Sequence, residues 1–149
     1  MLHRFQQFST AISCLYHDIQ KLERVEMAKY GLKGPHAQCL QVMAGFPEGI
    51  TATELTERCE KDKAAISRAV AELEEAGLLV RSQKDGLRYR AQLVLTPKGQ
   101  EAAGKVIDRI RLAVERAGAG LDEEERTVFY RVLGRIAENL HAVCEDGLE

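Results

Sequence analysis

One stretch narrows the folds open to this chain more than any other. From Ile50 to Leu95, two short helix patterns and an alternating hairpin pattern follow one another without spare linker. Thr51 is placed to cap the first helix, Glu54 completes a capping box three residues later, and Ile50 and Leu55 stand at the staple positions. Leu55 and Cys59, four apart, give that helix one buried stripe, and Glu60-Lys61 leads into a turn. Asp62 then caps a second helix, whose Ile66, Ala69, Val70 and Leu73 repeat at i, i+3, i+4 and i+7, and Gly77 ends it.

The opposite face of the second helix carries Lys63, Ala64, Ser67, Arg68 and Ala71, which are small, hydroxylic or basic. Small residues let a helix approach the floor of a DNA major groove, Arg68 can bond guanine edges or phosphate, and Ser67 can serve either. Phosphates would repel Glu72, Glu74 and Glu75, so only the N-terminal half of the helix is expected to enter a groove. After Gly77, Leu78-Leu79-Val80 opens a strand, Lys84-Asp85-Gly86-Leu87 supplies an Asp-Gly turn, and Tyr89, Ala91, Leu93 and Leu95 alternate on the return. Arg81, Lys84, Arg88 and Arg90 make the hairpin basic, as suits a wing that touches backbone or minor groove beside a reading helix.

Outside this stretch the chain is helical. Phe8, Ile12, Leu15, Ile19 and Leu22 form a seam spaced four, three, four and three, which is too narrow to be covered by anything but a partner helix. Tyr30-Gly31 closes that helix, and Gly34-Pro35 opens another that carries Ala37, Leu40, Val42 and Met43. Thr96-Pro97 starts a long amphipathic helix that Gly118-Ala119-Gly120 breaks. Asp122, with Glu125 at its N3 position, starts the last helix, which runs through Phe129, Val132, Leu133, Ile136, Leu140 and Val143. These apolar faces exceed what a small winged core can cover, and a dimer with interleaved terminal helices is the economical solution. The expected fold is mainly α with a small β-wing: a winged helix-turn-helix lobe at 35–96, flanked by dimerisation helices at 1–30 and 98–149, all within one domain of 149 residues.

The net charge of −2 gives no global signal for nucleic acid, so distribution carries the argument. Lys61 to Lys98 holds eight Lys/Arg against five Asp/Glu, whereas Asp122 to Glu149 holds three against eight. A modestly positive face and a remote acidic tail result. The four cysteines show no Cys-x-x-Cys spacing, and neither a signal peptide nor a long apolar span is present; a reducing cytoplasm is the expected home, with no membrane partner. No nucleophile elbow, phosphate-binding glycine loop or paired-carboxylate constellation supports an enzyme, and no cofactor is implied.

Several of these segments resemble the MarR (multiple antibiotic resistance regulator) family. Asp62 to Leu79 is similar to its recognition helix, Leu95-Thr96-Pro97-Lys98-Gly99 to its strand-to-helix junction, and Leu121-Asp122-Glu123-Glu124-Glu125 to the start of its last helix. The resemblance implies a homodimeric transcriptional regulator, a repressor on a pseudo-palindromic operator, released by a small-molecule effector or by oxidation. It places Lys63, Ala64, Ala65, Ser67, Arg68 and Ala71 against the major groove. Two departures stand out. Asp85 and Arg88 are separated by Gly86-Leu87, so Arg88 and Arg90 compete for the minor groove, and alanines at 64 and 65 replace the family's usual Ser or Thr. The family's effector pocket lies between dimer helices and winged lobe, which nominates His17, Tyr30 and His36.

Three His/Cys pairs at i, i+3 spacing offer a soft-metal or redox alternative: Cys14 with His17, His36 with Cys39, and His141 with Cys144. Two residues do not fill a tetrahedral shell, and packing is the commoner use of such cysteines. From a different functional class, a dimeric winged helix can bind protein instead of DNA. A protein-binding face should be more aromatic than one built of Lys63, Ser67, Arg68 and wing arginines, and the chain has no Trp.

Overall fold

The computed structural model describes residues 2–82 and 91–148. The order is α1 (Leu2–Ala28), α2 (Gly34–Ala44), α3 (Ala52–Cys59), α4 (Lys63–Glu75), β1 (Leu79–Ser82), β2 (Gln92–Leu95), α5 (Pro97–Ala117) and α6 (Glu123–Asp146). The mainly helical fold with one small antiparallel sheet is therefore the one expected. The chain divides into two compact units, Met1–Arg111 and Leu112–Glu149.

In the first unit the local signals act as their chemistry requires. Thr51 Oγ accepts from the Glu54 N–H while a Glu54 carboxylate oxygen accepts from the Thr51 N–H and hydroxyl, so the capping box is closed. Glu60 takes the left-handed conformation at the end of α3, with φ of 51°, and the Asp62 carboxylate accepts from the Ala65 N–H at 2.8 Å to start α4. Leu55 and Cys59 from α3 meet Ile66, Val70 and Leu73 from α4 in a core completed by Met27, Leu40, Met43, Leu79, Leu93 and Val106. Removing this apolar surface from water is the main stabilising term for the unit.

The sheet begins one residue later than the sequence pattern suggests. Leu78 is fully buried, but its carbonyl accepts from the Thr96 N–H at 3.0 Å instead of joining the ladder, and β1 pairs with β2 from Leu79↔Leu95 to Ser82↔Gln92. Ile50, read from sequence as a staple alone, also bridges to Leu93 through two backbone hydrogen bonds of 3.1 and 2.8 Å. That single-residue bridge follows Gly49, whose φ of 111° and closeness to Gln92 Cβ leave no room for a side chain.

The start of α5 is fastened to the end of α4. Thr96 Oγ donates to the Gly77 carbonyl at 2.6 Å and accepts from the Gly99 N–H at 3.1 Å, while Lys98 Nζ reaches the Ala76 carbonyl at 3.1 Å. A Cβ on Gly99 would collide with the Leu78 carbonyl, so the two backbones touch directly. A buried carboxylate ties α5 to α1: Glu26, only 3% exposed, is held by Lys29 Nζ at 2.8 Å and by Arg109 Nε at 3.2 Å. Such a charge is tolerated in an interior only when paired.

The second unit has a different character. Asp122 and Glu125 close a capping box at the start of α6, and Arg126 Nη2 donates to the Gly118 carbonyl at 2.6 Å. Yet α6 buries none of its residues, and Phe129, Val132, Ile136, Leu140 and Val143 all stand exposed. On α1 the predicted seam is open at Phe8, Ile12 and Leu15, the last 51% exposed, while Ile19 and Leu22 are half-buried. Among the described residues no helix is long and apolar enough to cross a membrane.

Candidate nucleic-acid interface

The exposed face of α4 follows from its cap and its period. With Asp62 fixing the first turn and Ile66, Ala69, Val70 and Leu73 turned inward, Lys63, Ala64, Ser67, Arg68 and Ala71 are left exposed; Ala65 is half-buried. Lys63 and Ser67 border a groove of about 400 Å³, whose other wall is Ala52, Thr53 and Thr56 of α3. Among the described residues neither Lys63 nor Arg68 enters an ion pair. The exposed face is therefore cationic at Lys63 and Arg68 and low in profile at Ala64 and Ala71.

The acidic residues further along α4 do not behave as three free charges. Glu72 Oε2 lies 2.7 Å from His36 Nε2, an ion-pair distance whose angle falls short of a directed hydrogen bond, and Glu74 Oε2 accepts from Arg81 Nε at 2.8 Å. The repulsion foreseen from sequence is thus partly absorbed by partners on α2 and β1. One consequence corrects a detail of the wing: Arg81, expected to add to its positive charge, is paired with Glu74. Lys84, Arg88 and Arg90, nominated for the wing tip, lie outside the described residues.

The three nominated effector residues occupy different environments. His17 is exposed on α1, Tyr30 is half-buried against the core, and His36 is 4% exposed at the start of α2. None of them lines the cleft of about 550 Å³ that opens between α1 and α2, whose walls include Tyr16, Ile19, Glu23, Arg24, Gln41 and Lys61. Burial pushes the Glu23 carboxyl above its ordinary value, against the opposing pull of a 3.0 Å hydrogen bond from Gln41 and the charges of Lys61 and Arg24. Periodicity could not have found this cleft, because its lining comes from the polar flanks of two helices and a turn brought together only by folding.

The cysteines divide by environment. Cys14 and Cys144 are exposed, whereas Cys39 and Cys59 are buried against each other between α2 and α3. The hydrogen bond that the Cys39 S–H donates to Cys59, and then burial, push the Cys39 thiol up, so it is a packed thiol rather than a ready nucleophile. His36 and Cys39 are each engaged elsewhere, which removes them as a shared metal grip. Among the described residues no three His, Cys, Asp or Glu side chains gather as a metal site.

With this geometry in place, likeness to known proteins can be set beside it. A family model described as MarR family matches residues 30–86, a stretch that starts just after α1 and includes α2, α3, α4 and β1. A protein of Thauera aromatica, described as a transcriptional regulatory protein for the hcr operon, is 29% identical over 132 residues, covering 89% of this chain and 70% of that protein. Among solved structures, a MarR transcriptional regulator from Methanosarcina mazei superposes with a TM-score of 0.79 at 22% identity, covering 93% of this chain and 92% of that one. A MarR family regulator from Listeria monocytogenes, complexed with 26mer DNA, gives 0.76 at 20% identity over 94% and 95% of the two chains. At such identities the structures speak for the fold.

Proposed function

We propose that this chain is a DNA-binding transcriptional regulator of the MarR family, whose model it matches over residues 30–86, rather than an enzyme. It acts as a homodimeric repressor on a pseudo-palindromic operator and is released by a small-molecule effector. The observation that carries the reading is the face of α4: capped, exposed, small at Ala64 and Ala71, cationic at Lys63 and Arg68, with Glu72 and Glu74 drawn to neighbours. Each protomer would place the N-terminal half of α4 in a major groove, two such helices standing about 34 Å apart, one turn of duplex.

Dimerisation is supported by the open apolar stripes on α1 and α6, which a monomer would leave in water. Effector release is supported by the α1–α2 cleft, which reaches Lys61 in the turn just before α4. A ligand there would bear on the approach to the reading helix.

The test is selection of duplexes from a randomised library by the purified protein, followed by affinity of the best duplex against a scrambled one across salt. The expected result is a two-fold symmetric motif bound tightly, with log K falling linearly as log salt rises. Absence of any enriched motif, with only weak salt-driven binding, would overturn the reading in favour of a protein-interaction module.

A further inference from the structure

His36, nominated from the sequence for an effector pocket, makes a contact between α2 and α4. His36 is almost wholly buried, and its ring is oriented from one side by Lys33, whose backbone nitrogen lies 3.1 Å and whose carbonyl oxygen lies 3.0 Å from Nδ1. Nε2, on the far side of the ring, lies 2.7 Å from the Glu72 carboxylate of α4. A histidine needed only to finish the first turn of α2 would require the Nδ1 contact alone. The second contact crosses to another helix and takes hold of a carboxylate whose side chain is half exposed.

The position of that carboxylate matters because of what lies one turn earlier. Residues 68 and 72 are neighbours on a single helix face, and an Arg and a Glu at this spacing attract. Arg68 nevertheless makes no ion pair among the described residues, while Glu72 is turned inward to α2. We infer that His36 is a positioning residue for the reading helix: by holding the Glu72 carboxylate against α2, it keeps that carboxylate off Arg68 and leaves the guanidinium free for DNA. Without the imidazole, Glu72 would either neutralise Arg68 or lean toward the phosphates, and both weaken binding. Arg81 likewise pairs with Glu74, from β1 instead of α2. The inference rests on the reading of α4 as the DNA-reading element.

Fluorescence anisotropy of the full chain on the selected and the scrambled duplex tests it. Glu72→Asp keeps the charge but is too short to reach His36, and at a half-exposed site it leaves folding intact. It should bind the selected duplex about fivefold more weakly than wild type, the lower end of what one lost arginine base contact costs. Glu72→Gln should bind at least as tightly as wild type. His36→Leu should weaken binding, and His36→Leu with Glu72→Gln should regain most of the loss, a rescue that a purely packing role for His36 would not give. Wild-type affinity in Glu72→Asp, or a double variant as weak as His36→Leu, would overturn the inference while leaving the DNA reading in place. A wild-type chain that shows no salt-sensitive preference for the selected duplex would overturn the DNA reading itself.

Discussion

Helices α4 and α6 carry the same kind of pattern and meet opposite fates. Both begin with an aspartate cap whose carboxylate accepts from the backbone N–H three residues on, and both repeat apolar residues at helical spacing. In α4 that repeat is buried throughout, Ile66, Val70 and Leu73 being at most 1% exposed; in α6 the equivalent stripe stays open, with Leu140 at 53%. An amphipathic pattern therefore states that a face must be covered, but not by what. Where covering elements lie within a few dozen residues, as α2, α3 and the hairpin do for α4, the pattern resolves inside one chain. Where they do not, the open stripe is itself the information, and it is what supports a second copy of the chain as the cover.

Truncation at equivalent positions should separate the two cases most sharply. Leu73→Ala removes a fully buried side chain and should lower unfolding free energy by about 2–5 kcal/mol in denaturant titrations, at every protein concentration tested. Leu140→Asp should cost about 2 kcal/mol or more in association instead. Its signature in sedimentation is a shift toward monomer that higher concentration partly reverses, and equal sedimentation of variant and wild type would break the comparison. Asp62→Ala strips the cap from α4 and should cost about 1 kcal/mol, read as a loss of thermal stability accompanied by weaker duplex binding.

The smallest effect concerns the cap of α3. Hydrogen bonds from the Thr51 N–H and hydroxyl hold the Glu54 carboxyl below its ordinary value. A carboxylate whose folded value is depressed contributes stability that is present above its unfolded pKa, about 4.3, and is lost as pH falls through the folded one. Glu54→Gln should flatten the acid limb of the stability curve slightly and leave neutral pH almost untouched.

The parts of the fold that sequence made legible are those whose cause is local. The caps at Thr51, Asp62 and Asp122, the buried positions of α4 and the break after Ala117 each depend on residues within one or two turns. The parts that stayed hidden depend on a meeting between distant residues. Ile50 joins the sheet as a single residue, too short to leave an alternating pattern. Glu26 reads as surface charge until Lys29 and Arg109 are seen around it. His36 and Glu72 are 36 positions apart, so charge bookkeeping along the chain counted Glu72 as free. For the candidate interface, the exposed face of α4 was legible, while the restraint on its acidic residues and the cleft between α1 and α2, which is lined by none of His17, Tyr30 and His36, were not.

The join at Thr96 to Gly99 has a mechanical consequence. Because Gly99 lies against the Leu78 carbonyl and Thr96 and Lys98 grip the Gly77 and Ala76 carbonyls just past α4, the root of α5 has no slack in which to absorb a twist. A turn applied to α5 must therefore be passed on to α4 as through a keyed shaft, and the gearing between them is set by a glycine that cannot be exchanged for any larger residue.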